Sequence, residues 1–128
     1  MFKRIDHVEV VTSDLDRSIA FYTEVLGFTV RERRTVDAPP LEEIAYLELG
    51  GTTLELMRVA GAAPAAPEPL PWQVGYRMVA LEVEDMDRAL ARLAGQGVAA
   101  AWGPVTLGRS RRAEIRDPDG LPIELRQW

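Results

Sequence analysis

The chain has 128 residues, 47% of them hydrophobic and 27% charged, which suits a single globular domain burying roughly 70% of its unfolded surface and excludes the composition of a disordered chain. Its net charge of −5 argues against a nucleic-acid partner, and the arginine run "RSRR" at 109–112 is too short to reverse that. It contains no cysteine, so disulfides, thiolate nucleophiles and thiolate metal sites are all excluded.

In chain order, residues 5–11 alternate and are rich in Val, the pattern of a half-buried strand. Ser13 or Asp14 then caps a helix whose apolar positions Leu15, Ile19, Tyr22 and Leu26 follow a 3.6-residue period, and Gly27 is placed to end it. Three extended pieces follow, "FTVRERRTV", "EEIAYLEL" and "TTLELMRV", the last two joined as a hairpin through Gly50 and Gly51. Residues 59–75 include "GAAPAAPEPLPWQVG", a proline-rich stretch without periodicity that reads as an extended connector. Beyond it the same order returns: a strand over 76–83, a helix with Met86, Leu90 and Leu93 on one face, a stop at Gly95 or Gly97, then strands near "VAAAWG", "RAEIRD" and "PIELRQ".

This is an internal repeat. "DHVEVVTSDLDRSIAFYTEVLGF" lies over "RMVALEVEDMDRALARLAGQGV", with Asp14, Asp16 and Arg17 on Asp85, Asp87 and Arg88 at an offset of 71 residues. "GGTTLELM" lies over "DGLPIELR", placing Glu55 on Glu124 at an offset of 69. The pattern is βαβββ twice: module one spans 1–58, the connector 59–75 and module two 76–128. No apolar run approaches the roughly 20 residues of a membrane span, and "MFKRIDHVEV" turns strand-like too early for a signal peptide. A cytoplasmic protein with no membrane partner is expected.

Strand side chains alternate between faces. With Val8, Val10, Leu54 and Leu56 under the first helix, His7, Glu9, Glu55 and Met57 face the other way; in module two the same parity places Tyr76, Met78, Glu82 and Glu124 on the corresponding face. Carboxylates on an apolar-framed face require a compensating cation, a bound ligand or a proton.

These motifs, with "LELGGTTLELM" and "IRDPDGLPIELRQW", resemble the vicinal oxygen chelate superfamily, which includes glyoxalase I, methylmalonyl-CoA epimerase, bleomycin-resistance proteins and extradiol dioxygenases. The resemblance covers almost the whole chain. It implies an α+β protein in which two βαβββ modules form a curved mixed sheet around a cavity, and a homodimer, because many members pair two chains. It further implies a divalent metal whose ligands, carried over by position, are His7, Glu55 and Glu124. The fourth family position falls on Met78, a neutral thioether that suits cavity packing better than coordination of a hard ion.

Two readings of function follow. In the first, the protein is a metal-assisted lyase or isomerase acting on a small carbonyl or thioester compound by proton abstraction and enediolate stabilisation, with Glu124, then Glu55, as the base. In the alternative it is a metal-free protein that sequesters a drug or antibiotic, in a pocket lined by Met78, Tyr76, Met57, Glu9, Trp72 and Trp102. Arg109, Arg111 and Arg112 are candidates for an anionic tail of the ligand. A dioxygenase is disfavoured because its iron site usually takes two histidines, and His7 is the only one here. An epimerase proper would need a second acid–base carboxylate, for which only Glu42 or Glu43 lie near.

Overall fold

Each half of the sequence forms its own unit, Met1–Pro64 and Ala65–Trp128, in a computed structural model that describes residues 1–66 and 72–128. The elements are β1 (His7–Thr12), α1 (Leu15–Ala20), a π-helical continuation (Phe21–Val25), β2 (Thr29–Ala38), β3 (Leu41–Leu49), β4 (Thr52–Val59), β5 (Val79–Glu82), α2 (Met86–Gly95), β6 (Trp102–Leu107), β7 (Ser110–Arg116) and β8 (Pro122–Gln127). Both units build a four-stranded mixed sheet, ordered β1-β4-β3-β2 and β5-β8-β7-β6. In each, the first and last strands pair in parallel and the others antiparallel.

The repeated aspartates start both helices in the same way. Asp14, in extended backbone (φ −142°, ψ 101°), accepts a hydrogen bond from the Arg17 amide, and Asp85 (φ −143°, ψ 112°) accepts one from Arg88. Each satisfies an amide that the first helical turn leaves without a partner. The ends differ. In α2 the Val98 amide donates to Leu93 O (2.9 Å) and the Gly97 amide to Ala94 O (3.0 Å), with Gly97 at φ +79°, a glycine-terminated Schellman end. The first module has one more residue between its capping aspartate and its terminal glycine, and it absorbs that residue as the π turn over Phe21–Val25. Leu15, Ser18 and Tyr22 are buried, while Ile19 and Leu26 are only half-buried.

Gly50 and Gly51 (φ +56° and +78°) make the two-residue turn between β3 and β4, where only residues free of a Cβ adopt both angles cheaply. In the core of the first unit, Leu47 and Leu56 are fully buried with Leu15, Tyr22, Phe28, Ala45 and Leu54, and Tyr22 packs edge-to-face on Phe28. The second core consists of Met86, Leu93, Ala113, Ile115, Ile123 and Leu125. Gln127 reaches from β8 to accept the Met86 amide at 2.8 Å, so the closing strand helps to cap α2.

Two expected boundaries move. The strand expected over 76–83 is confined to Val79–Glu82. The strand expected near "VAAAWG" begins at Trp102 and continues to Leu107. Glu42 and Glu43 belong to β3, within the extended piece "EEIAYLEL". Residues 67–71 of the connector lie outside the described residues.

Candidate functional site

In the first unit the parallel pairing of β1 with β4 sets Glu9 directly beside Glu55, with His7 two residues earlier on the same face. His7 Nε2 lies 3.4 Å from Glu9 Oε1 and 3.6 Å from Glu55 Oε1. Glu55 is the most buried of the three, at 9% exposure, because Leu54 and Leu56 on either side of it are drawn into the core. On the other side of the ring, His7 Nδ1 is 2.9 Å from Asp6 Oδ2, and Asp6 is itself paired with Arg4 at 3.3 Å.

This arrangement orients the imidazole. A proton on Nδ1 is held by Asp6, which directs Nε2 towards the two glutamates. The Asp6 hydrogen bond, assisted by Glu9 and Glu55, raises the His7 pKa above its ordinary 6.5 against the opposing effect of burial. The Asp6 carboxyl is held below its ordinary range, first by the His7 hydrogen bond and then by the Arg4 charge.

One donor atom each from His7, Glu9 and Glu55 lies within 4.8 Å of the others. Ligands bonded to one ion at about 2.0–2.2 Å stand roughly 3–3.5 Å apart, so the His7–Glu9 and His7–Glu55 spacings already fit a shared ion with little adjustment. The set of one imidazole and two carboxylates fits a borderline or hard divalent cation and leaves the cluster neutral once loaded. With an ion on Nε2, Asp6 would supply the outer carboxylate that commonly orients a ligating histidine. Sequence parity placed Glu9 on this face but counted it only as a pocket residue; the signal that it sits beside Glu55 is strand register, which alternation alone does not supply.

In the second unit the counterpart of the Glu9–Glu55 pairing is Ala80 beside Glu124. Glu124 is half-buried, and its Oε1 takes both Nε and Nη2 of Arg126 at 2.7 Å. Glu114, directly opposite Glu124 on β7, was missed in the sequence although its neighbours Ala113 and Ile115 point into the core and force it onto this face. Arg77 (3.3 Å) and Arg116 (3.5 Å) hold its carboxylate.

The other candidates are distributed as follows. Met78 Sδ is 3.5 Å from Arg77 Nη1. The Arg77 guanidinium also stands 4.8 Å from the Trp72 ring centre. Tyr76 and Trp72 are exposed, and Trp102 on β6 sits opposite Glu114. Met57 lies beside Val11 and Ile44 on the His7 face of the first unit. Arg109 is at the tip of the β6–β7 hairpin, and Arg111, on the helix side of the sheet, makes a bidentate pair with Asp87 of α2 at 2.9 and 3.0 Å. Of the three expected anion-binding arginines only Arg112 stands on the Glu124 face. A hollow of about 340 Å³ lined by Gly27, Thr29, Arg31, Glu48, Leu49 and Gly50 contains none of the candidate residues.

A sheet pair of this topology, with a histidine and glutamates on the face away from the helices, defines a glyoxalase-like α+β protein. The chain belongs to the Glyoxalase/Bleomycin resistance protein/Dioxygenase superfamily, whose family model matches residues 4–125. It is 34% identical over 125 residues to the lactoylglutathione lyase of Salmonella typhimurium, an alignment covering 95% of this chain and 90% of that protein. Among solved structures it is similar to a glyoxalase family protein from Bacillus cereus, with a TM-score of 0.83 at 26% identity, covering 99% of this chain and 95% of that one. It is also similar to TnmS3, an antibiotic binding protein from Streptomyces sp. CB03234, with a TM-score of 0.72 at 28% identity and 98% of both chains covered. Among the described residues no helix is long and apolar enough to cross a membrane.

Proposed function

We propose that the protein is a glyoxalase-like, metal-assisted lyase or isomerase acting on a small carbonyl or thioester compound. The observation that carries this reading is the convergence of His7, Glu9 and Glu55, with Asp6 orienting the imidazole from behind. His7 Nε2 and one oxygen each of Glu9 and Glu55 would hold a divalent ion. That ion would supply Lewis-acid stabilisation of the negative charge that develops on the substrate oxygen when a proton leaves the adjacent carbon. The similarity to a lactoylglutathione lyase supports the same class of proton transfer.

The base in this reading is Glu124, assigned on the repeat that makes it the counterpart of Glu55. Its carboxylate is held in one orientation by the two Arg126 contacts, as a positioned base requires. With three protein donors, the ion would keep open coordination positions for substrate oxygen or water.

Elemental analysis after metal loading tests the assignment. Wild type should retain a near-stoichiometric ion, Glu55→Gln and His7→Gln should lose it, and Glu124→Gln should keep it while losing turnover. A wild-type chain that retains no ion would refute the proposal.

The similarity to an antibiotic binding protein, together with the exposed Trp72–Arg77 stack, supports a second reading as a metal-free ligand-sequestering protein. A compound that raises the melting temperature equally with and without chelator would support it over the first.

A further inference from the structure

On the Glu124 face of the second unit, β7 and β8 set like charges directly opposite each other twice: Glu114 beside Glu124, and two residues along, Arg112 beside Arg126. Like charges at directly opposite positions of adjacent strands destabilise a sheet unless something compensates them. For the glutamates the fold supplies the compensation, since Arg77 and Arg116 hold Glu114, and Arg126 holds Glu124. For the arginines it is only half supplied. Arg126 is neutralised by Glu124 and stacks 5.1 Å over the Trp128 ring. Arg112 has no carboxylate within ion-pair distance among the described residues; its Nε donates to Ser110 Oγ at 3.1 Å. Glu82, the register partner of Arg126 on β5, forms no ion pair among the described residues.

The Ser110 bond anchors Nε of the half-buried Arg112 to a buried hydroxyl, and among the described residues no ion pair engages the two terminal nitrogens, which form a fork. Such a fork matches the paired oxygens of a carboxylate or phosphate. Its neighbour in sequence, Arg111, shows the alternative: on the other face, both terminal nitrogens are already engaged by Asp87.

We propose that Arg112 and Arg126 form an oxyanion subsite that takes the carboxylate or phosphate of a small ligand, with the Trp128 ring flanking it. This deepens the functional reading above by naming the ligand class, and rests on that reading only in taking the ligand to be the substrate. An oxyanion between the two guanidiniums supplies the missing compensation while Arg126 keeps its hold on Glu124.

The test is a titration of the chelator-treated full chain with inorganic phosphate and, separately, with propionate, following the Arg Nε–H signals by NMR. At least one probe should shift the Arg112 and Arg126 signals saturably. Arg112→Gln should raise the apparent Kd about tenfold or more, Arg112→Lys less, and Arg111→Gln less than twofold. A response to phosphate alone assigns a phosphorylated ligand, and a response to propionate alone assigns a carboxylate. No saturable shift from either probe overturns the proposal, as does an unchanged Kd in both Arg112 variants. His7→Gln separates the two readings: it should abolish metal retention and leave probe binding intact, so a failure of either can be recognised without the other.

Discussion

Replacing Ser18 by alanine should stabilise the protein. Ser18 is on α1, fully buried at 0% exposure, and its Oγ has no hydrogen-bond partner among the described residues. An unpaired buried hydroxyl costs about 1–3 kcal/mol by the measure of protein substitutions. Alanine removes that cost and adds about 0.5 kcal/mol of helix propensity. Against this stands the small hole left by one oxygen, worth a few tenths of a kcal/mol at roughly 24 cal/mol per Å³. The net expectation is about 1–3 kcal/mol of added stability, or a rise in Tm of about 4–11 °C for a chain of this size. Urea unfolding followed by circular dichroism measures it: the midpoint should rise with an unchanged slope, which shows that stability and not the extent of exposed surface has changed. A Ser18→Ala chain less stable than wild type would mean that the hydroxyl is bonded, for example back to the Asp14 carbonyl one turn earlier, and would refute the reasoning.

Asp6→Asn should weaken metal retention about tenfold, the low end of the effect of losing an orienting partner, because the Asp6–His7 contact is solvent-exposed; competition with a chelator measures it, and unchanged affinity would mean that Asp6 does not orient the ring. Glu43 should make stability depend on pH. Its hydrogen bond to Arg33 and the Arg58 charge hold its pKa below the ordinary 4.5 in the folded chain, so its contribution is present above the unfolded value and is lost as pH falls through the folded one. Urea midpoints of wild type and Glu43→Gln should therefore differ most at neutral pH and converge as the pH falls through the folded value; a difference that persists at the acid end would show that the substitution acts through packing. Gly51 and Gly103 share φ +78°, but only at Gly103 would a Cβ meet backbone, 2.6 Å from Arg112 O. Both Ala variants incur strain of about 1 kcal/mol or more from the left-handed backbone, and Gly103→Ala should lose clearly more by thermal unfolding; equal losses would mean that the β6–β7 hairpin yields to the extra atom.

The architecture was legible because the chain states it twice. Two capping aspartates, alternating strands and the glycine turns recur at nearly fixed spacing, and local propensity agrees with them. What stayed hidden depended on position along an element or between strands. The π turn was present in the sequence as one extra residue between Asp14 and Gly27, and an ideal 3.6-residue period put Ile19 where Ser18 is buried. The shortened β5 arises because pairing with β8 starts at Val79 opposite Ile123, and β8 itself begins only one residue earlier, at Pro122, which has no amide to donate. For the site, parity identified which residues share a face. Whether two of them touch depends on register and on side-chain partners, so Glu9 was undervalued, Glu114 was missed, and Arg111 could not be seen to be engaged by Asp87.

The repeat also shows how one requirement has been met in two ways. Both units place a glutamate, Glu55 and Glu124, at the same position of the closing strand, on a face framed by core leucines and isoleucines. A carboxylate there needs a positive partner. In the second unit that partner is built in: Arg126 lies two residues along the same strand, and the position beside Glu124 on β5 holds Ala80, which adds no charge, while Glu114 on β7 has its own arginines. In the first unit Met57 occupies the position equivalent to Arg126, while the adjacent strand adds a second carboxylate, Glu9, and a single imidazole. Even a protonated histidine would balance only one of these two carboxylates, and a divalent ion on the neutral imidazole would balance both. The second unit holds, at Arg112, a positive charge with no carboxylate within ion-pair distance among the described residues, its Nε bonded to Ser110. On the two proposals above, the copies would take opposite ligands, a cation for the unit with His7 and an oxyanion for the unit with Met78 at the equivalent position.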